Sequence, residues 1–239
     1  MKKALWFYIL YVLFLFGLGT LILLNEKATL HEMLTIDWIS KCSENFISFT
    51  DTFFKYITEI GGNIPFVVAA VFLFVRFGYS YFLLISQLAV TLVVQPIKHI
   101  LNEPRPKLFF AENFPDVVLH QVSGVSMHSM FSFPSGHTAT VFAFMLALSL
   151  ICKRTWTSIV FLLIAVLVGY SRIYLSQHFA EDVFAGSIIG VAMASLTYLF
   201  YVQKNYEWQK MNIVTIYKMK LKKINNDKRK ENSGSDAGL

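Results

Sequence analysis

The sequence predicts an all-α, polytopic membrane protein with six transmembrane helices and interfacial amphipathic helices. Three observations carry this. Hydrophobic residues make up 55% of the 239 positions and charged residues only 15%, against about 25% charge in an average soluble domain. Apolar runs of roughly membrane-crossing length recur along the chain. The net charge of +6 is also unevenly placed. Residues 203–239 hold nine of the 21 Lys and Arg but only four of the 15 acids, so +5 of it sits in the tail. The remaining body, at +1, lacks the basic face that nucleic-acid binding needs, and a nucleic-acid partner is excluded.

Taken in order, the first element is the run Ala4–Leu24 behind Met1-Lys2-Lys3. A secretory signal would be shorter, and Asn25-Glu26-Lys27-Ala28 offers no small-residue cleavage pattern, so a retained span is expected. Residues 25–62 mix charges with aromatics such as Trp38, Phe46, Phe49, Phe53 and Phe54 and predict one or two amphipathic helices at the outer interface. Five further runs follow: 64–77, 79–101, 135–152, 155–175 and 183–202. A tight turn at Arg76-Phe77-Gly78 separates the second span from the third. Three segments result: 1–62 with the first span and amphipathic part, 63–202 as the main helical bundle, and 203–239 as a basic tail. In that tail, 203–223 is expected to continue the last helix and rest on anionic lipid, and 225–239 to be disordered. Cys42 and Cys152 show no metal-ligand spacing, and Cys152, in an apolar run, reads as a packing residue.

Orientation follows the basic residues. With six spans, Lys2, Lys3, Arg76, Lys153, Arg154 and the tail all share one side, which makes both termini cytoplasmic. The few ionisable residues near spans fall into three groups: Lys98 with Arg105-Pro106; Pro134-Ser135-Gly136-His137; and Ser171-Arg172 with His178 and Asp182. They mark the ends of odd spans and the starts of even ones, so all converge on the opposite, outer face. Charges in such places are costly and point to function.

The residue types fit phosphoryl chemistry. Three cations suit a phosphate dianion. Gly136 lets a ligand approach backbone N–H groups at a helix start, and Ser135 adds a hydroxyl. His178 and Asp182, four apart, share a helical face, so the carboxylate can hold one imidazole nitrogen and leave the other nucleophilic. His137 is free to protonate a leaving oxygen.

Lys98-x6-Arg105-Pro106, Pro134-Ser135-Gly136-His137 and Ser171-Arg172-x5-His178-x3-Asp182 resemble the three-part signature of the type 2 phosphatidic acid phosphatase (PAP2) superfamily. The resemblance spans about residues 60–200 with no departure at a core motif position. It implies a six-helix membrane phosphatase that needs no metal and no cofactor. In it His178 attacks phosphorus to form a phosphohistidine, Asp182 orients it and His137 is the general acid. Lys98, Arg105, Ser135, Gly136 and Arg172 bind phosphate. The implied substrate is a membrane lipid phosphate; the orientation puts its site at the periplasmic or exterior face, and the Lys-, Ile- and Asn-rich composition points to a bacterial plasma membrane. Undecaprenyl diphosphate is the first candidate, beside phosphatidylglycerol phosphate, phosphatidic acid and lipid A phosphates. A lipid phosphotransferase and a non-enzymatic scaffold are the alternatives, and no obligate protein partner is evident.

Other residues carry ordinary expectations. His99 reads as interfacial, and His120 and His128, in the long connection 102–133, as solvated or capping. Glu103 and Glu181 read as partners of motif cations or as interface markers. The Gly186-x3-Gly190 pattern reads as close helix packing within the bundle.

Overall fold

The computed structural model describes residues 5–39, 42–200 and 206–235. Its elements are all helical: α1 (Leu5–Leu24), α2 (Lys27–Ile39), α3 (Glu44–Ile57), a 3₁₀ turn (Thr58–Gly61), α4 (Ile64–Val75), α5 (Phe77–Leu101), α6 (Pro106–Asn113), α7 (Gly136–Cys152), α8 (Thr155–Tyr174), α9 (Ala180–Phe200), a second 3₁₀ turn (Glu207–Lys210) and α10 (Ile213–Ser235). Each of the six apolar runs forms a helix within a few residues of its expected bounds.

Four runs are long and apolar enough to cross a membrane: α1, α5 together with α6, α8 and α9. They become five if Glu44–Gly61 and Ile64–Val75, bent by 52° at their break, count as one broken span. Six full-length spans are not shown, because two of the expected six are short. α4 rises only about 18 Å and α7 about 26 Å, against a hydrocarbon core of about 30 Å. α4 begins late because Gly61-Gly62 interrupts the helical path from α3. α7 begins where Ser135 caps it.

α7 is the centre of the molecule. Every residue from Val141 to Ala147 is buried, the pattern of a helix covered all round. α5, α8 and α9 pack around it, and α1 lies against α8 and α9. The tightest seam joins α7 to α9. A Cβ at Gly186 would sit 2.5 Å from the Ser135 carbonyl oxygen, and one at Gly190 would collide with that of Ala139. The two glycines thus serve packing inside the bundle, as expected.

α3 is capped by Ser43, whose hydroxyl accepts from the Phe46 amide at 3.4 Å. One face presents Ile47, Thr50, Phe54 and Ile57 to α8, with the Phe54 and Tyr174 rings 4.4 Å apart. The other exposes Phe49, Phe53 and Tyr56. The segment 25–62 thus holds two helices, α2 and α3, of which α3 is amphipathic. They also pack onto the bundle rather than only lying beside it.

Three expectations are corrected. The second-to-third turn is a single extended residue, Arg76, with α5 starting at once at Phe77. Cys152 is exposed at the end of α7, where the next residue, Lys153, turns the chain left-handed and away from the core. The tail is helical to Ser235, because its Lys-, Arg- and Glu-rich stretch has good helix propensity. A 3₁₀ turn precedes that helix and folds back against the α4–α5 junction. The Phe77 amide donates to the Met211 carbonyl at 2.8 Å and Arg76 Nε to that of Gln209 at 3.2 Å. Trp208 meets Tyr81 edge to face.

Candidate active site

The three polar groups meet where α5, α7, α8 and α9 begin or end. Lys98, in the last turn of α5, is buried and donates to the carbonyls of Phe131 at 2.6 Å and Ser132 at 3.4 Å. Arg105, just before α6, donates through Nε to Met130 O at 2.9 Å and through one terminal nitrogen to Gln177 Oε1 at 3.2 Å. Both cations thus hold the strand of loop leading into α7.

Ser135 caps α7, its hydroxyl accepting from Thr138 Oγ1 at 2.8 Å and from the Thr138 amide at 3.4 Å. Its own amide donates to the Asp182 carbonyl at 3.0 Å, tying the second group to the third. A Cβ at Gly136 would meet Lys98 Cε and Val94 Cγ1 at 3.8 Å, ordinary contact distance. Protein packing therefore does not demand glycine there.

Arg172 is buried, with one terminal nitrogen donating to Thr58 Oγ1 at 2.8 Å and its Nε without a protein partner among the described residues. The chain then turns through Ser176, at φ +50°, and the His178 amide donates back to the Arg172 carbonyl at 3.1 Å. This turn carries the histidine over the arginine. His178 is 2% exposed and Asp182 0%. His178 Nδ1 lies 3.2 Å from Asp182 Oδ2. The same oxygen accepts from Ser132 Oγ at 2.5 Å and from the Phe179 amide at 2.9 Å. A carboxylate acceptor makes Nδ1 the protonated nitrogen and leaves the Nε2 lone pair free. Burial, and then the field of Arg105, Arg172 and Lys98, lowers the His178 pKa well below its ordinary value, so the ring is neutral at pH 7.

Arg105, Arg172 and His137 line a cavity of about 320 Å³. Lys55 and Glu59, from α3 and its 3₁₀ extension, and His128 also line it. All eight residues expected from the sequence thus lie at one end of the bundle.

Several partners escaped the sequence reading. Ser132 holds the Asp182 carboxylate but stands outside the Pro-Ser-Gly-His motif. Thr58 anchors Arg172 from 114 positions away. Gln177 bonds Arg105, and only its position beside His178 hints at this. Other expectations change. Glu103 and Glu181 pair with Lys27, at 3.6 and 3.5 Å, and not with motif cations. His120 is neither solvated nor a cap: it contacts Asp51 at 2.7 Å, beside the Tyr174 hydroxyl, which donates to the same oxygen. His99 rests against the Phe131 ring. Among the described residues no cluster of three His, Cys, Asp or Glu side chains able to hold a metal ion occurs.

Known proteins resemble this chain. The chain is 33% identical over 174 residues to lipid phosphate phosphatase 2 of Arabidopsis thaliana, which covers 60% of each chain. It is 33% identical over 106 residues to the putative undecaprenyl-diphosphatase YbjG of Escherichia coli, covering 44% of this chain and 48% of that one. It spans about half the length of the curated relatives it matches. The crystal structure of Aquifex aeolicus LpxE superposes with a TM-score of 0.59 at 25% identity, over 73% of this chain and 95% of that one. The PAP2 superfamily profile matches residues 73–206. That stretch holds all three polar groups and more than half of the chain, which therefore belongs to the PAP2 superfamily.

Proposed function

We propose that this protein is an integral membrane phosphatase that releases phosphate from a lipid at the outer face of a bacterial plasma membrane. One observation carries the reading: a neutral, buried His178 is held by Asp182 at 3.2 Å within the field of Lys98, Arg105 and Arg172. A histidine so placed is a nucleophile, and the cations are a phosphoryl clamp.

In the proposed reaction the substrate phosphoryl group sits among Lys98, Arg105, Arg172, the Ser135 hydroxyl and the Gly136 amide. His178 Nε2 forms a bond to phosphorus, the bond to the lipid-side oxygen breaks, and His137 gives that oxygen a proton. Asp182 stabilises the imidazolium that develops. Water, deprotonated by His137, then attacks the phosphohistidine and frees inorganic phosphate and His178. Undecaprenyl diphosphate is the first candidate substrate, supported by the likeness to the Escherichia coli protein and consistent with the proposed outward facing of the site. Six spans with cytoplasmic termini and a metal-independent mechanism complete the reading.

The test is phosphate release by purified protein from a panel of lipid diphosphates and monophosphates. His178→Ala should lower it by at least about 10³-fold, as loss of a nucleophile does elsewhere. Undiminished release by that variant would overturn the mechanism.

A further inference from the structure

An in-line phosphoryl transfer places nucleophile and leaving group on opposite sides of phosphorus. Here the nucleophile side is closed, because His178 is 2% exposed. The leaving oxygen takes its proton from His137 in the proposed reaction, and His137 lines the cavity of about 320 Å³ with Arg105, Arg172, Lys55, Glu59 and His128. In the proposed reaction that cavity takes the leaving group, and the residues of its wall meet whatever part of the substrate departs.

The charges on that wall are not equivalent. Glu59 shares the cavity with Arg172 and lies within its electrostatic reach. Lys55 has no acidic partner within ion-pair distance among the described residues. Its Nζ donates to the Ser123 carbonyl at 2.8 Å, and an ammonium has three donors. The loop also holds that ammonium in place: Gly124 sits at φ +75°, and a Cβ there would come 2.5 Å from Lys55 Nζ. A positioned cation outside any ion pair among the described residues thus shares the cavity with Arg105, Arg172 and His137.

We infer that Lys55 is a specificity residue that stabilises an anionic leaving group, and so favours lipid diphosphates over lipid monophosphates. A monoester loses an alcohol, which is neutral once His137 has protonated it, and a cation there gains nothing. A diphosphate loses a lipid monophosphate. The P–O bond to the terminal phosphoryl group breaks, the bridging oxygen leaves with the electron pair, and the departing phosphate stays negative even when protonated. Lys55 is placed to donate to its free oxygens. This rests on the phosphatase reading above and adds the class of lipid.

The experiment compares a polyprenyl diphosphate with the monophosphate of the same prenyl chain in detergent micelles, scoring phosphate release. Lys55→Met should lower kcat/KM for the diphosphate by about 10- to 100-fold, the usual worth of a hydrogen bond to a charged group. The monophosphate should change by less than about threefold, and Lys55→Arg should restore most of the diphosphate rate. Inhibition by inorganic pyrophosphate relative to phosphate, which needs no turnover, should weaken in parallel in Lys55→Met. Equal loss on both lipids, no loss on either, or unchanged pyrophosphate preference would overturn the role of Lys55. Release that survives His178→Ala would instead overturn the phosphatase reading itself, whatever Lys55 does.

Discussion

His31 is a polar side chain with nothing to bond. It is 1% exposed, its ring lies against Phe110 and Phe179, and neither nitrogen has a partner among the described residues. Burial lowers its pKa from 6.5 to about 4, with Asp182 opposing. The unfolded chain takes a proton as pH falls through 6.5 and the folded chain refuses it until about 4. Stability is therefore complete above the first value and is lost progressively towards the second. At pH 5 the loss from this one group is on the order of 1–2 kcal/mol. His31→Phe should flatten the fall in thermal midpoint between pH 7 and pH 5, and an identical pH slope would show that His31 titrates normally. The residues legible in the sequence were those whose chemistry is unusual near a membrane: Lys98, Arg105, Arg172, His137, His178 and Asp182. Ser132 and Thr58 were not legible, because a hydroxyl in or beside a helix needs no explanation until the fold brings a carboxylate or a guanidinium to it. His31 was passed over for the same reason.

At the level of elements, hydropathy located each apolar helix closely, and two of the six, α4 and α7, are shorter than the other apolar helices. Apolarity reports what a segment touches, not where its neighbours force it to stop. α7 is as hydrophobic as a membrane-crossing helix because protein surrounds it. Its start is set by the Ser135 cap and by the backbone bond from Ser135 to Asp182, both features of the site. The Gly186-x3-Gly190 pattern gave a correct reason for packing but no partner, and the partner is α7. Gly190→Leu should therefore cost at least about 1–3 kcal/mol, the usual cost of overpacking, because the obstacle is a backbone carbonyl that cannot swing aside. Thermal unfolding in detergent would measure it, and a variant as stable as the parent would show that the α7–α9 seam has slack. The amphipathic reading of 25–62 was right about the faces of α3. It missed that the 3₁₀ turn after α3 delivers Thr58 and Glu59 to the site, since no residue there has a distinctive type or spacing.

Across the whole molecule the charge has two meanings. The basic residues at Arg76, Lys153, Arg154 and the tail belong to the end of the bundle away from the site, and the proposed topology makes that end cytoplasmic. In intact cells, Ser129→Cys in a background without Cys42 and Cys152 should react with a membrane-impermeant maleimide, because Ser129 is exposed beside the site. Lys222→Cys should react only after permeabilisation. The reverse pattern would invert the protein in the membrane.

The backward fold of the tail bears on how the chain can be shortened. A version cut after Phe200 keeps every motif and every long apolar helix, and looks complete by sequence. It would nonetheless lose the acceptor for the Phe77 amide and for Arg76 Nε. It would also lose the Gln209 side chain, against which the bare backbone of Gly78 rests. Residues 206–212 are a clasp over the hairpin of α4 and α5, and any trimmed version made for crystallisation or fusion should retain them, whatever becomes of the helix beyond.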